Sequence, residues 1–328
     1  MQEKIKFIII GSGNIANTYL TAISHIPQAE VVGIVSRKKE SGSVHQLPIF
    51  TTLQQVDIDY DAVIVCTPNG LHHVATIEAA ELGKHVLCEK PIDITLSSID
   101  KMIAACATNN VKLGVAFQRR HSSDNPLVKK LIDKQQLGKI FSVDLSVKNY
   151  RDDNYYNSAS YRGTYKIDGG GPFMQQASHY IDLYYWFFGK PTQIVSKLGT
   201  FVHAIEVEDH GAAICVHESG MIGTITASTA TKPGFPAKME IYTNKGYLIL
   251  ENDVITHWEI EGLENPSQQT VNTHSGSSSA VVNDTSNHER IINDFIEAVR
   301  TDREPLITGA SAKNATEIIL AIYNNQFC

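Results

Sequence analysis

A chain of 328 residues that is 42% hydrophobic and 19% charged is long enough for two packed cores and too apolar to be disordered. Its net charge of −7 argues against a general nucleic-acid binder, and no apolar run approaches the length needed to cross a bilayer. The five cysteines, Cys66, Cys88, Cys106, Cys215 and Cys328, are odd in number and include no CxxC pair, which fits reduced thiols in a cytoplasmic protein better than a disulfide framework or a zinc site.

The opening KIKFIIIGSG sets basic residues before an apolar patch, but the patch is short for a secretory signal and ends in glycines. It reads as a first strand at 4–10, apolar throughout as a strand buried on both faces must be. GSGNIA (11–16) follows and opens a helix, NIANTYLTAI. Further strands are predicted at 29–36, 60–68, 85–90 and 111–118. Helices are predicted at 70–84, closed by Gly83, and at 95–110, capped by Thr95. Strands alternating with helices specify an α/β fold with a doubly wound parallel sheet.

In that setting Gly11, Gly13 and Ala16 fill the G-x-G-x-x-G/A pattern of a dinucleotide turn. Gly11 permits the tight turn, Gly13 lets a pyrophosphate approach the backbone, and Ala16 keeps the helix close to the sheet. NAD-binding folds usually end the second strand with Asp or Glu. Here Ser36 stands there, followed by Arg37, Lys38 and Lys39, a set that would attract a phosphate and so favours NADP(H) over NAD(H); the alternatives are a solvated basic turn and a ribose contact from Glu40. Downstream, CEKPID (88–93) places Lys90 in a turn where Gly, Asn or Asp is commoner, which invites a chemical role for it.

From about His121 the pattern changes. A helix is predicted at 125–139, then strands at 140–150, 192–204, 210–218, 221–229, 237–243, 246–252 and 254–260, as in an antiparallel sheet. The polar stretch 265–287 reads as a surface loop, and 288–302 and 309–325 as closing helices. Within this part, YRGTYKIDGGGPFMQQASHYIDLYYWFFG (161–189) puts three glycines before a helix carrying His179 and Asp182 on one face. Gln175 stands one turn before His179, and the run of Tyr, Trp and Phe is packing.

Four segments in this order resemble the glucose–fructose oxidoreductase/inositol dehydrogenase (Gfo/Idh/MocA) family across nearly the whole chain: GSGNIA, TPNGLHHVATIEAAELGKHVLCEKP, DGGGPFMQQASHYIDL, and HERIINDFIEAV with REPLITG. The resemblance implies a Rossmann domain (1–120), then an α+β domain (121–328) with an open-faced, mostly antiparallel sheet. The final helix would pack back on the first domain, and dimers or tetramers would form through the sheet. The implied activity is hydride transfer between NAD(P) and a secondary alcohol or ketone of a sugar, nucleotide sugar or polyol. The expected partner is a sugar-like small molecule, with no metal, nucleic acid or membrane.

By the same resemblance, Lys90 hydrogen-bonds the reacting oxygen, beside a proline that is often cis, and His179 exchanges the hydroxyl proton. Cofactor contacts fall on Gly11, Gly13, Asn14, Ile15, Ser36, Arg37, Lys38, Thr67, Pro68, Asn69, His72, Glu89 and Lys90. Substrate contacts fall on Gln118, Arg119, Arg162, Gln175, Gln176 and His179, with Arg120 and Tyr161 as further candidates. Inositol-dehydrogenase-like members carry Asp where this chain has Gln175. A neutral amide cannot support an imidazolium as a carboxylate would, which leaves room for ketone chemistry on sugars or nucleotide sugars. The same fold also serves NAD-recycling glycosidases and nucleotide-sensing regulators. Regulators can lose the lysine and histidine, and both are present here.

Overall fold

A computed structural model describes residues 3–36, 47–268 and 284–327. The basic run 37–39 and most of the polar stretch 265–287 lie outside them. The chain divides into two compact units, residues 1–118 with 281–313 and residues 119–280 with 314–328.

The first unit begins with β1 (Ile5–Ile10), α1 (Asn14–Ser24), β2 (Ala29–Val35), β3 (Ile49–Phe50) and β4 (Ala62–Val65). It continues with α2 (His72–Glu81), β5 (His85–Cys88), α3 (Leu96–Thr108) and β6 (Leu113–Val115). The six strands pair in parallel in the order β3-β2-β1-β4-β5-β6. Phe7, Ile8, Ile9, Val63, Ile64 and Leu87 are fully buried, which is why these strands read as unbroken apolar runs. At α3 the Thr95 hydroxyl accepts the Ser98 amide at 3.2 Å, the cap expected there. The chain runs outward from β1 to β3 and returns to the other side at β4. The gap between β1 and β4 is therefore the switch point at which such sheets bind ligands.

The second unit holds α4 (Asn125–Asp133), β7 (Ile140–Lys148), α5 (Asp153–Asn157), α6 (Pro172–Gln175) and α7 (Ser178–Phe188). Six strands follow: β8 (Gln193–Gly199), β9 (His210–Val216), β10 (Ile222–Ser228), β11 (Lys238–Thr243), β12 (Gly246–Glu251) and β13 (Val254–Ile260). They form a seven-stranded sheet in the order β13-β12-β11-β7-β10-β9-β8. Every pairing is antiparallel except β7 with β10. One face carries the core, where Val143, Leu145, Ile225 and Ile241 meet Ile181 and Tyr184 of α7. The other face leaves Val195, Ile214 and Ile222 exposed on three adjacent strands, with Val195 directly opposite Ile214.

Two further helices follow, α8 (Ser286–Thr301) and α9 (Gly309–Asn324). The segment 281–313 falls in the first unit, not in the second domain where the sequence reading put it. The cause is packing at long range. Phe295 lies 6.3 Å from the Phe7 ring, and a Cβ on Gly114 would come within 2.8 Å of it. The last residues of α9 return to the second unit, where Ile318, Ile319 and Ile322 join the core.

The predicted single helix after the glycines is two. Gln176 and Ala177 both donate to the Pro172 carbonyl, a widened turn that separates α6 from α7. On α7, Asp182 is occupied by Arg120: Nε reaches Oδ2 at 2.8 Å and Nη2 reaches Oδ1 at 2.6 Å. The two side chains are 1% and 3% exposed. Replacing Asp182 by Asn would leave a buried guanidinium without its counter-charge. Urea denaturation should show a loss of about 3–5 kcal/mol, and a midpoint within error of the parent would refute the pair's structural weight.

Candidate active site

Each unit carries its own set of candidate residues. In the first, Gly11 adopts φ +115°, and a Cβ there would stand 2.5 Å from the Cys66 carbonyl oxygen. Only glycine allows β1 to turn this close to the end of β4. Gly13 N-caps α1 with no side-chain bond and open space around it, so the first amides of α1 are left for an outside acceptor. Thr67 adjoins the same turn, and its hydroxyl is buried without a hydrogen bond. A cradle with no Cβ, free helix amides and an orphaned hydroxyl together fit a dinucleotide phosphate.

Asn14 is exposed and Ile15 half-buried at the start of α1, while Pro68 and Asn69 follow Thr67 into a short turn. Ser36 is buried, with its hydroxyl 2.8 Å from that of Ser12. Among the described residues no acid follows β2 directly, and Glu40 lies outside them. Arg37 and Lys38 lie outside the described residues.

At the carboxyl end of β5 the Lys90–Pro91 peptide is cis. Glu89, 7% exposed, accepts the Tyr19 hydroxyl at 2.7 Å on one oxygen and the Lys90 amide at 3.0 Å on the other. Burial first, then the Glu89 charge, pushes the Tyr19 phenol far up, so it stays a donor. His72 is buried, with its ring nitrogens 2.9 Å from the Pro91 carbonyl and 2.8 Å from that of Thr67. Glu89 and His72 thus use these polar atoms to hold the lysine turn from behind. Asp93, which sequence reasoning passed over, accepts the His73 amide at 3.0 Å and the Ile94 amide at 2.8 Å.

In the second unit His179 sits half-buried in the first turn of α7. Gln175 donates from Nε2 to the Asp168 carbonyl at 2.7 Å, and the Asp168 carboxylate accepts the Gly163 amide at 2.8 Å. Behind the glycines lies Glu208, which accepts the Gly171 amide at 3.0 Å, the Phe173 amide at 3.4 Å and the Tyr323 hydroxyl at 3.0 Å. A Cβ on Gly171 would fall 1.9 Å from the Glu208 carbonyl oxygen, and one on Gly170 2.0 Å from the Tyr323 hydroxyl. The glycines admit the Glu208 backbone and the Tyr323 side chain. Sequence reasoning missed Glu208, although the paired acids of EVEDH before a strand were a signal.

The other expected contacts are dispersed in their surroundings. Arg119 pairs with Asp253 at 2.5 Å and stacks 4.3 Å over the Tyr180 ring. Arg162 stacks 4.3 Å over Tyr155. Gln118, in the first unit, and Gln176, in the second, each have a buried Oε1 without a hydrogen bond. Tyr161 is half-buried. Among the described residues no group of His, Cys, Asp or Glu suits a metal ion, and no helix is long and apolar enough to cross a membrane.

Residues 5–117 match the model of an oxidoreductase family with an NAD-binding Rossmann fold, and residues 127–249 match that of the GFO/IDH/MocA C-terminal domain. An uncharacterized oxidoreductase, YrbE, of Bacillus subtilis is 26% identical over 79% of this chain and 77% of its own. An inositol 2-dehydrogenase of Rhizobium meliloti is 23% identical over 76% of each chain. The crystal structure of the WlbA dehydrogenase from Bordetella pertussis, in complex with NADH and UDP-GlcNAcA, superposes with a TM-score of 0.87. That pair is 29% identical, and the match covers 98% of this chain and 96% of that one.

Burial raises the Glu208 carboxyl to about 7, against the opposing pull of the Gly171 amide and the Tyr323 hydroxyl. An acid held above its unfolded value keeps its proton longer in the native state. Stability is therefore fullest below the unfolded value near 4.5 and falls until pH reaches about 7. The loss is about 3 kcal/mol. Melting temperatures from pH 4.5 to 8 should decline through this window, and Glu208→Gln should flatten the decline. An equal slope in both proteins would exclude Glu208 as its source.

Proposed function

The chain belongs to the Gfo/Idh/MocA oxidoreductase family, and we propose that this NAD-binding enzyme oxidises or reduces one carbinol carbon of a sugar-derived substrate, with Lys90 and His179 as its catalytic pair. When bound, the nicotinamide supplies the hydride acceptor or donor. The Lys90 ammonium donates to the reacting oxygen and stabilises the negative charge that develops on it. His179 takes the hydroxyl proton in oxidation and returns it in reduction. The observation that carries this reading is the Glu89–Lys90–Pro91 turn, pinned by Tyr19 and His72 at the carboxyl edge of the sheet beside the glycine cradle.

The inositol dehydrogenase among the relatives and the UDP-GlcNAcA bound to the WlbA dehydrogenase both support a sugar-like substrate. Gln175 is neutral and donates to a carbonyl, which favours a substrate that does not need a carboxylate behind His179. For the cofactor we keep NADP(H). The serine at the end of β2 and the bases after it support that choice, while the NADH in the WlbA complex pulls the other way. Val195, Ile214 and Ile222 support a dimer or tetramer closed through the outer sheet face. Four buried free cysteines support a cytoplasmic setting.

Lys90→Ala and His179→Gln should each lower kcat by about 10²–10⁴-fold, and His179→Gln should do so with reduced-cofactor binding, followed by nicotinamide fluorescence, unchanged. Full activity in either variant would end the assignment. Turnover with no net absorbance change at the reduced-nicotinamide band would point to a self-recycling glycosidase instead. In the same titration NADPH should bind more tightly than NADH, with the preference lost on replacing Arg37 and Lys38. Equal binding would return the cofactor to NAD. Ile214→Asp should shift the sedimentation coefficient of the oligomer to that of a monomer, and an unchanged value would remove the sheet face from the interface.

A further inference from the structure

We infer that the second unit reads an oxyanion on the substrate, a carboxylate or a phosphate, through Arg162 with Arg151 beside it across the ring of Tyr155. This rests on the reading of the chain as a sugar oxidoreductase and narrows its substrate to an acidic or phosphorylated sugar.

The half-buried Tyr155 ring on α5 has the Arg162 guanidinium 4.3 Å from its centroid and that of Arg151 at 5.3 Å. Two cations sharing one ring repel each other, and the ring offsets only part of that repulsion. A third cation stands nearby, with the Lys232 amine 5.0 Å over the neighbouring Tyr150 ring.

Three of the nearby acids have other partners. Asp209 accepts the amides of Phe201, Val202 and His203, and the His203 ring at 3.1 Å. Asp168 takes the Gly163 amide. Asp152 caps α5 through the Tyr155 amide and is fully exposed, so whatever charge it lends Arg151 is screened by water. Arg162 forms no ion pair with any described residue, and its Nε is buried without a hydrogen bond.

A donor taken out of water and left without an acceptor costs free energy, and the planar fork of a guanidinium is matched best by the two oxygens of a carboxylate or phosphate. A purely structural cation–π contact would not require that Nε to stay unmatched. The loop is also held in place. The Gly163 carbonyl accepts the Glu206 amide at 3.2 Å, and the same loop runs through Asp168 and the glycines to His179.

The test is calorimetry on the full-length protein with three probes: UDP, glucuronate and glucose. At least one charged probe should bind at least tenfold more tightly than glucose. Arg162→Met should weaken that probe by about tenfold or more, with glucose binding and melting temperature unchanged. Should Arg162→Met fail to fold, Arg151→Met should show a loss of the same kind. Loss confined to UDP identifies a phosphate, and loss confined to glucuronate a carboxylate. Charged probes no tighter than glucose, or unaffected by either substitution, would overturn the proposal. A separate NADH titration tests the oxidoreductase reading, so the two failures are distinguishable.

Discussion

A carboxylate at 7% exposure must find partners for both oxygens, or its desolvation outweighs what the fold gains by burying it. Glu89 finds one in the Tyr19 side chain of α1 and the other in the backbone amide of Lys90, the residue proposed to act on the substrate. Tyr19 therefore links the helix that begins at the glycine turn to the lysine at the end of β5. His72 adds a second tie, between Pro91 just past β5 and Thr67 just past β4. Three strand ends converging on one ligand site are thereby fixed to one another by side chains that stay behind the site. The lysine is placed by its neighbours rather than by its own long stem.

The second unit uses the same device with a different outcome. Glu208 and Asp209 are adjacent and both buried, yet their affinities for a proton move in opposite directions. Burial dominates at Glu208. At Asp209 burial also works against the charge, but the amides of Phe201, Val202 and His203 and the His203 ring outweigh it and hold the carboxyl below its usual range. One acid thus anchors the 201–203 loop as a fixed anion. The other fastens the glycine segment in front of His179 as a group that changes charge near neutrality.

Much of this was legible in residue order. Strands buried on both faces announce themselves as apolar runs, and strands buried on one face as alternation, so β1, β4, β7 and β10 fall within a few residues of their predicted positions. Gly11, Gly13 and Ala16 were readable because a turn this tight tolerates few residues. The break between α6 and α7 was not, since Gln176 and Ala177 are ordinary helix formers and the widened turn follows from what packs around it. Nor was the ownership of α8. Its apolar face of Ile291, Ile292 and Phe295 would suit either core, and only the space beside Gly114 decides between them. Glu208 escaped because a buried acid looks like any surface acid until its partners are known. The parallel pairing of β7 with β10 is likewise a matter of topology rather than of composition.

That late arrival of α8 bears on how the protein is made. Synthesis proceeds from the amino terminus, and the six parallel strands are complete by Val115. The helix that covers Phe7 and the flank of β6 leaves the ribosome only after the whole second sheet has been translated. Until then the nascent nucleotide-binding sheet carries an uncovered apolar flank. Its closure therefore waits until the second sheet has been synthesised, although its own strands are made before that sheet. A fragment cut at residue 118 would keep the glycine motif and lose its cover.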